Sequence, residues 1–323
     1  MFLTVIIPHY NNVALLGRCL RSLVAAELGD ELQVVVVDDG SSAGQREQLD
    51  ALISQLDGND IQLVCNATNR GVSFSRNRGL MSAKGRFVWF VDADDEVDGE
   101  LLRLWWPVLS KTPKEVEMLH LGPMVTPDAR RGSMPADAVV EPTTLADLMK
   151  PRTHCLDHTT YWISRQFLRL NPDIRYREDC VILEDSIFLL QLLNKAKKIA
   201  SAEGCTLYIR HDDTPSVTAG PWSREKSAAF MPSILTFFGF LSRFMFLYFR
   251  LPYILDLYHR YCYVYMRVLA VKGVPCGMYR KLFYNPVIRH DFFPRNLKEF
   301  LLKNLVIHSV ITIVCRILRF SHK

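Results

Sequence analysis

The residues best suited to chemistry are carboxylates that follow apolar runs early in the chain. Asp38 and Asp39 come directly after one such run, and Asp92, Asp94 and Asp95 follow another. Carboxylates held this close repel one another, and a divalent cation that shares its oxygen ligands with substrate phosphates relieves the repulsion. The segment 92–95 therefore predicts a metal and phosphate site, and Asp38 and Asp39 are placed to accept hydrogen bonds from a ribose hydroxyl or a base N–H. Each segment alone also fits a solvated acidic turn or a helix cap.

Apolar runs and helical patterns alternate through the first hundred residues. Strands are predicted at 4–7, 33–37, 61–65 and 86–91, with helical spacing between them. Continuous apolar runs are typical of strands buried on both faces, and the helices between them predict a parallel sheet with right-handed crossovers. The fold class is therefore α/β, and ligands of such sheets bind at the carboxyl ends of the strands.

The second half of the chain is patterned differently. The alternation weakens between 110 and 180, and a long helix is predicted from 185 to 198. Beyond Phe230 the sequence is strongly helical, aromatic and basic. We interpret residues 1–220 as the catalytic domain and 221–323 as a helical C-terminal region.

The net charge of +5 conceals an asymmetry. The first 223 residues contain 23 basic and 30 acidic residues, whereas residues 224–323 contain 16 basic and 4 acidic ones. The most apolar stretch near the end, Leu305 to Cys315, is too short to span a bilayer, which takes about 20 residues. A basic, aromatic region of this kind favours binding to an anionic membrane surface; packing on the catalytic domain or across a dimer is the alternative.

The start of the chain and its cysteines indicate the compartment. The first residues lack the basic and long apolar segments of a signal peptide. Eight cysteines are scattered without a C-x-x-C pair, which favours reduced thiols in the cytoplasm. We therefore expect a cytoplasmic protein that is peripheral on the inner face of the membrane. No recognised module accompanies the basic and aromatic residues, so no nucleic-acid binding is predicted.

Five segments, taken together, resemble the family 2 inverting glycosyltransferases. They are V-I-I-P-H-Y-N-N at 5–12, V-V-V-D-D-G-S-S at 35–42, N-R-G-V-S-F-S-R-N-R-G at 69–79, F-V-D-A-D-D at 90–95 and L-E-D-S-I-F-L-L at 183–190. The resemblance covers roughly residues 1–215. It implies an A-type nucleotide-sugar-binding fold, in which a mostly parallel, Rossmann-like sheet is flanked by helices.

The resemblance also implies a role for each matching residue. Those expected to bind the nucleotide-sugar donor are Pro8, Tyr10, Asn11, Asp39, Arg76 and Asp92. A Mn²⁺ or Mg²⁺ ion is expected chiefly on Asp94, with Asp92 beside it. His211 is a further candidate ligand, and the alternative is an ordinary loop histidine.

The acidic pair Glu184 and Asp185 matches the family's pair at the start of a helix. The resemblance implies that Asp185 is the general base for the acceptor hydroxyl. A helix N-terminus lowers the pKa of a carboxyl group and weakens it as a base, so burial would have to restore its basicity. Glu178 and Asp179 form the alternative acidic pair.

These expectations define an inverting, metal-dependent hexosyl- or N-acetylhexosaminyltransferase with a donor that we expect to be UDP-linked. The acceptor would be a hydroxyl of a bacterial surface glycan or glycolipid: lipopolysaccharide core, capsule or a lipid-linked oligosaccharide. One alternative is an inactive relative that serves in membrane-bound assembly. Another is a sugar nucleotidyltransferase, which would have a Gly-rich basic loop where this chain has P-H-Y-N at 8–11.

Overall fold

The computed structural model describes residues 1–56, 60–129, 133–148 and 157–211, with short pieces at 225, 229–230, 232–234, 236–237 and 239–240. The predicted aromatic and basic extension lies almost entirely outside the described residues. The domain boundary predicted near 220 also lies outside them and stays a prediction.

Strands and helices alternate along the described chain as the sequence predicts. The strands are β1 (Leu3–His9), β2 (Leu32–Asp38), β3 (Asp60–Cys65), β4 (Phe87–Phe90), β5 (Glu96–Val97), β6 (Met118–His120), β7 (Glu141–Thr143), β8 (Tyr161–Ser164), β9 (Ile199–Ser201) and β10 (Tyr208–Ile209). The helices are α1 (Val13–Val24), α2 (Ala43–Gln55), α3 (Val72–Ser82), α4 (Gly99–Leu109), α5 (Leu145–Leu148), α6 (Arg165–Leu170) and α7 (Glu184–Lys195).

Eight of these strands form one sheet in the order β3-β2-β1-β4-β8-β6-β9-β7. The four strands predicted from the sequence, β1 to β4, pair in parallel. β8 is antiparallel to both β4 and β6. The prediction of an α/β fold with a mostly parallel, helix-flanked sheet is confirmed, and strands from the weakly patterned region widen the sheet.

Tight packing fixes α3 on the centre of the sheet. Every residue of β2 is buried, and only Pro8 of β1 is half-buried. Gly79 of α3 lies directly over β1, where an added Cβ would come within 2.4 Å of Ile6 Cγ2. The absence of a side chain at Gly79 therefore lets α3 approach the sheet and carry its polar residues to the strand ends.

The fold divides into two compact units. The first contains Met1–Glu178 and Gln191–Pro215, and the second contains Asp179–Leu190 and Ser216–Lys323. The large hydrophobic core of the first unit includes both β1 and β2 and is rich in tryptophan: Trp89, Trp105 and Trp162 are fully buried. No helix in the described residues combines the length and the apolar character needed to cross a membrane.

Candidate active site

The buried pair His9 and Asp38 lies at the carboxyl ends of β1 and β2. His9 Nδ1 is 3.2 Å from Asp38 Oδ1, and the Asn12 backbone N–H donates to His9 Nε2. Because Nε2 accepts, the neutral ring carries its proton on Nδ1 and donates it to Asp38. Burial lowers the pKa of His9, against the opposing effect of Asp38. Asp38 also accepts from the backbone N–H and hydroxyl of Ser41, so it organises the turn after β2.

The turn after β1 contains the residues predicted to border the nucleotide base. Asn11 has a φ of 53°, a left-handed conformation that asparagine tolerates. Its side-chain oxygen accepts from the Ser42 backbone N–H at 2.8 Å, and its own N–H donates to Ser41 Oγ at 2.9 Å. These bonds join the turns after β1 and β2. Tyr10 remains 49% exposed, which leaves its ring accessible to a planar ligand.

Asp39 is buried and holds the loop that leads into α3. Its Oδ1 accepts from the Asn66 side-chain amide at 2.7 Å and from the Arg70 backbone N–H at 2.9 Å. Its Oδ2 accepts from the Gly71 backbone N–H at 2.7 Å. The structure therefore gives Asp39 a positioning function, and its predicted contact with uracil or ribose stays a prediction.

Arg76 and Asp92 form an ion pair between α3 and the turn after β4. Arg76 Nη2 is 2.7 Å from Asp92 Oδ1, and the guanidinium lies 5.0 Å from the centre of the Tyr176 ring. The Arg76 side chain is 4% exposed, whereas that of Asp92 is 35% exposed. Burial raises the pKa of Asp92, but the charge and hydrogen bond of Arg76, together with the charges of His158 and Arg210, outweigh burial, so this pKa lies below its ordinary value. Asp92 is therefore a carboxylate at neutral pH.

Replacement of Arg76 by Ala is expected to lower the free energy of unfolding by about 2 kcal/mol. Removing one partner of a buried pair costs roughly 3–5 kcal/mol, and the partial exposure of Asp92 reduces that cost. Arg103→Ala is the matched control, since Arg103 pairs with Glu27 and both side chains are more than half exposed. It is expected to change stability by less than about 1 kcal/mol. Urea unfolding compares the two variants, and equal losses would contradict a buried role for Arg76.

Tyr208 and His211 hold the Asp92–Asp95 turn in place through hydrogen bonds. The Tyr208 hydroxyl donates to Asp95 Oδ2 at 2.6 Å and accepts from the Asp92 backbone N–H at 3.2 Å. The His211 backbone N–H donates to Asp95 Oδ1 at 2.7 Å. Burial raises the pKa of Asp95 to about 7, although the bonds from Tyr208 and His211 lower it. Asp95 thus joins the turn to β10, which pairs with β5.

Arg18 and His211 both contact Glu96, the residue that follows the Asp92–Asp95 turn. Arg18 Nη2 donates to the Asp94 carbonyl, and its Nε lies 3.0 Å from Glu96 Oε1. His211 Nε2 lies 3.0 Å from the same Glu96 oxygen. The ring nitrogen considered as a metal ligand therefore faces a carboxylate. Asp94 itself is half-buried in the turn.

The predicted donor residues of the first unit belong to one connected set of contacts. The turns after β1 and β2 are bonded to each other, Asp39 holds the start of α3, and Arg76 on α3 pairs with Asp92. Sequence reasoning missed Tyr176 and Arg18, and it did not anticipate that Tyr208 supports the Asp92–Asp95 turn. Their partners are tens of residues away in the chain, so no local pattern marks them.

Glu184 and Asp185 begin α7 and belong to the second unit. Both are half-buried, and Asp185 Oδ1 accepts from the Ser186 backbone N–H at 2.6 Å. Leu183, just before them, has a φ of 61°, a left-handed conformation that is unusual for a bulky side chain. Backbone strain of this kind concentrates at functional sites.

Comparison with known sequences identifies a family. The model described as Glycosyl transferase family 2 matches residues 4–168, about half of the chain. Minor teichoic acid biosynthesis protein GgaB of Bacillus subtilis (strain 168) is 26% identical over 236 residues, covering 72% of this chain and 25% of that protein. Poly(ribitol-phosphate) beta-glucosyltransferase of Bacillus spizizenii is 25% identical over 201 residues, covering 62% and 31%. The chain therefore spans about a third or less of either relative.

Solved structures show the same fold. Residues 1–349 of TarS from S. aureus match with a TM-score of 0.63 at 18% identity, covering 98% of this chain and 91% of that one. TarS has also been solved with UDP and with UDP-GlcNAc. The family model extends from β1 into α6 and so includes the predicted donor and metal residues from Pro8 to Asp94. On this evidence the chain belongs to glycosyl transferase family 2.

Proposed function

We propose that the protein transfers a hexose or N-acetylhexosamine from a UDP-linked donor to a hydroxyl of a bacterial surface glycan, with inversion at the anomeric carbon. The acceptor classes are lipopolysaccharide core, capsule or a lipid-linked oligosaccharide. The observation that carries the proposal is the Arg76–Asp92 ion pair beside Asp94, at the sheet edge where the turns after β1 and β2 also lie. The relatives act in surface-polymer synthesis by name, and TarS has been solved with UDP-GlcNAc.

The nucleoside is assigned to the turns after β1 and β2. Tyr10 is exposed enough to stack on the base, with Pro8 and Asn11 as its neighbours in the turn. Asp39 accepts three N–H bonds from the protein. A carboxylate has about four lone-pair sites, so one remains for a ribose hydroxyl or a base N–H.

The acidic turn fits a divalent cation that is shared with the donor diphosphate. The described residues hold no group of three or more His, Cys, Asp or Glu side chains arranged around a metal ion. Mg²⁺ needs no such group, because it is usually held by one or two carboxylates, substrate phosphates and water. Asp94 would hold it, with Asp92 alongside; His211 is the weaker candidate, given its Glu96 contact. When bound, Mn²⁺ or Mg²⁺ would neutralise charge on the leaving diphosphate.

Arg76 is assigned to the donor phosphates. One of its five N–H donors binds Asp92. The ion pair holds the guanidinium in place before the donor arrives, and preorganised positive charge stabilises negative charge that develops in the transition state. Tyr176 packs against the guanidinium and limits its movement.

Asp185 is assigned as the general base, with Glu184 as its neighbour. The acceptor oxygen attacks the anomeric carbon, the bond from that carbon to the diphosphate oxygen breaks, and the acceptor proton passes to the Asp185 carboxylate. No covalent sugar–enzyme intermediate forms. Because attack comes from the side opposite the leaving group, an α-linked donor would yield a β-linked product.

The cytoplasmic face of the inner membrane is the proposed location. The basic C-terminal region, which carries this proposal, lies outside the described residues, so its support is the charge of residues 224–323. We expect the intact protein to sediment with membranes at low salt and to be released by high salt, since screening weakens attraction to anionic lipid. Full solubility at low salt without detergent would contradict the assignment.

A panel of nucleotide sugars tests the donor assignment. Calorimetric titration of the purified protein with UDP-, GDP- and dTDP-linked sugars, each with Mn²⁺ or with EDTA, is expected to show metal-dependent binding of one UDP-sugar. Tight binding of a GDP-sugar alone would reassign the base. Binding of no donor by the folded protein would favour a non-catalytic role.

A further inference from the structure

Two adjoining grooves on the first unit have walls rich in arginine. One, of about 930 Å³, is lined by β3, α3, α6 and residues 172–178; the other, of about 590 Å³, continues past α6. Arg165 and Arg169 line both, and the two together are called here the basic groove. The basic residues of its walls are Arg78, Arg86, Lys114, Arg165, Arg169 and Arg175.

The cations of the basic groove are only partly offset within the part of the chain that the structure describes: the charge of Glu115 acts on Arg86, and that of Asp173 acts on Arg175. Arg86 and Arg165 donate to backbone carbonyls, and Arg78 donates to the side chain of Asn66. No ion pair joins any of the six basic residues to a described carboxylate. Arg169 and Arg175 are exposed. The groove therefore presents guanidinium groups to whatever enters it.

Acidic residues near the basic groove offset this charge only in part. Glu178 is the one acidic residue among its lining, and it accepts a hydrogen bond from Asn77 at 3.0 Å. Asp173 is held by Lys195, whose Nζ lies 2.5 and 2.6 Å from its two oxygens. The concentration of positive charge stands out because the first 223 residues are acidic overall.

One end of the basic groove adjoins the donor residues. Asn77 lines the groove, and its amide donates to the Tyr176 carbonyl at 2.9 Å. Its neighbour Arg76 points to the other side of α3, toward Asp92, with the Tyr176 ring packed beside it. Adjacent residues of α3 therefore contact the groove and the predicted donor residue Asp92, which places the two near each other.

We propose that the basic groove binds an anionic polymer, with a phosphodiester or carboxylate in each repeat, that carries the acceptor hydroxyl. This inference rests on the proposed function and names its acceptor class. The concave shape fits a chain rather than a membrane surface, and spaced arginines match repeated anionic groups. Single-stranded nucleic acid fits poorly, because the groove's one aromatic ring, Phe74, is covered by Arg70 at 4.2 Å.

The test measures binding of a labelled polyol-phosphate oligomer to the full-length protein, by fluorescence anisotropy, without donor. The test variant is Arg169→Gln with Arg175→Gln, which removes two exposed cations from the groove. The matched control is Lys197→Gln with Lys198→Gln, which removes two exposed cations elsewhere. Each contact with an anionic group contributes roughly 0.7 to the exponent with which affinity falls as salt rises. Because the test variant lacks two contacts, raising the salt from 50 to 200 mM is expected to weaken its binding by a factor about sevenfold smaller than for the wild type. The control is expected to behave as the wild type.

Each outcome bears on the inference. Weakened binding in the test variant, unchanged binding in the control, and recovery in Arg169→Lys with Arg175→Lys would support it. Equal binding of an uncharged dextran oligomer would overturn it, as would no binding of the anionic oligomer. It would also fail if the test variant lost binding to phosphatidylglycerol vesicles but kept binding to the oligomer. Because the assay uses neither donor nor turnover, its failure is distinct from failure of the donor panel.

Discussion

Replacement of Asp185 by Asn is expected to lower kcat for sugar transfer by about 10³-fold, with little change in donor affinity. A positioned general base contributes roughly 10²- to 10⁴-fold, and Asn retains the shape of the side chain without its proton affinity. Asp185 is half-buried at the first turn of α7, so the substitution is not expected to unfold the protein. Steady-state transfer to an acceptor glycan, together with donor titration, measures both quantities.

Glu178→Gln is the companion to Asp185→Asn, because Glu178 belongs to the alternative acidic pair. Its carboxylate already accepts a hydrogen bond from Asn77 and lines the basic groove, so we expect its loss to affect KM more than kcat. If Glu178→Gln abolished turnover while Asp185→Asn retained it, the base would have to be reassigned. Glu184→Gln separates the two members of the α7 pair in the same assay.

Replacement of Asp94 by Ala is expected to abolish metal-dependent activity, with a loss of kcat of about 10³-fold. Asp94 is the residue to which the cation is chiefly assigned, and electrostatic stabilisation of a leaving group is worth about 10²- to 10³-fold in comparable sites. Arg18 binds the backbone carbonyl of Asp94, and Tyr208 holds the turn through Asp95. These contacts use the Asp94 backbone and the Asp95 side chain, so they are expected to remain in the variant.

Asp30→Ala is the control for Asp94→Ala. Asp30 is an exposed carboxylate in the short turn before β2, at the opposite edge of the sheet from the predicted donor residues. Its loss changes the net charge equally, and we expect activity and metal dependence to match the wild type. A similar loss of activity in both variants would mean that overall charge, and not a site at Asp94, governs the reaction.

The strands that could be predicted are those whose own sequence favours a buried strand. β1 and β2 are runs of branched apolar residues, and such runs are typical of strands that are buried on both faces. β8 was not predictable, because it is only four residues long and lies between strands that are distant in sequence. Short strands inserted antiparallel into a parallel sheet are selected by tertiary packing, which no local pattern records.

The candidate site shows the same division. The resemblance at 69–79 implies a role for Arg76 near the donor phosphates, and that role stays a prediction. The structure places the Arg76 guanidinium on Asp92, a contact that the sequence did not predict. The support of that turn by Tyr208 was not visible, since 113 residues separate it from Asp95. A position of His211 near the acidic turn was anticipated from the sequence. Its contact with Glu96 was not, because that contact depends on side-chain orientation.

The most direct test of the central claim is release of UDP from the donor selected by the panel, measured with Mn²⁺ and with EDTA for the wild type and for Asp94→Ala. We predict steady UDP release by the wild type with Mn²⁺, near-background release with EDTA, and near-background release by Asp94→Ala under both conditions. Undiminished release by Asp94→Ala, or wild-type release that EDTA does not alter, would contradict metal-assisted transfer at this site.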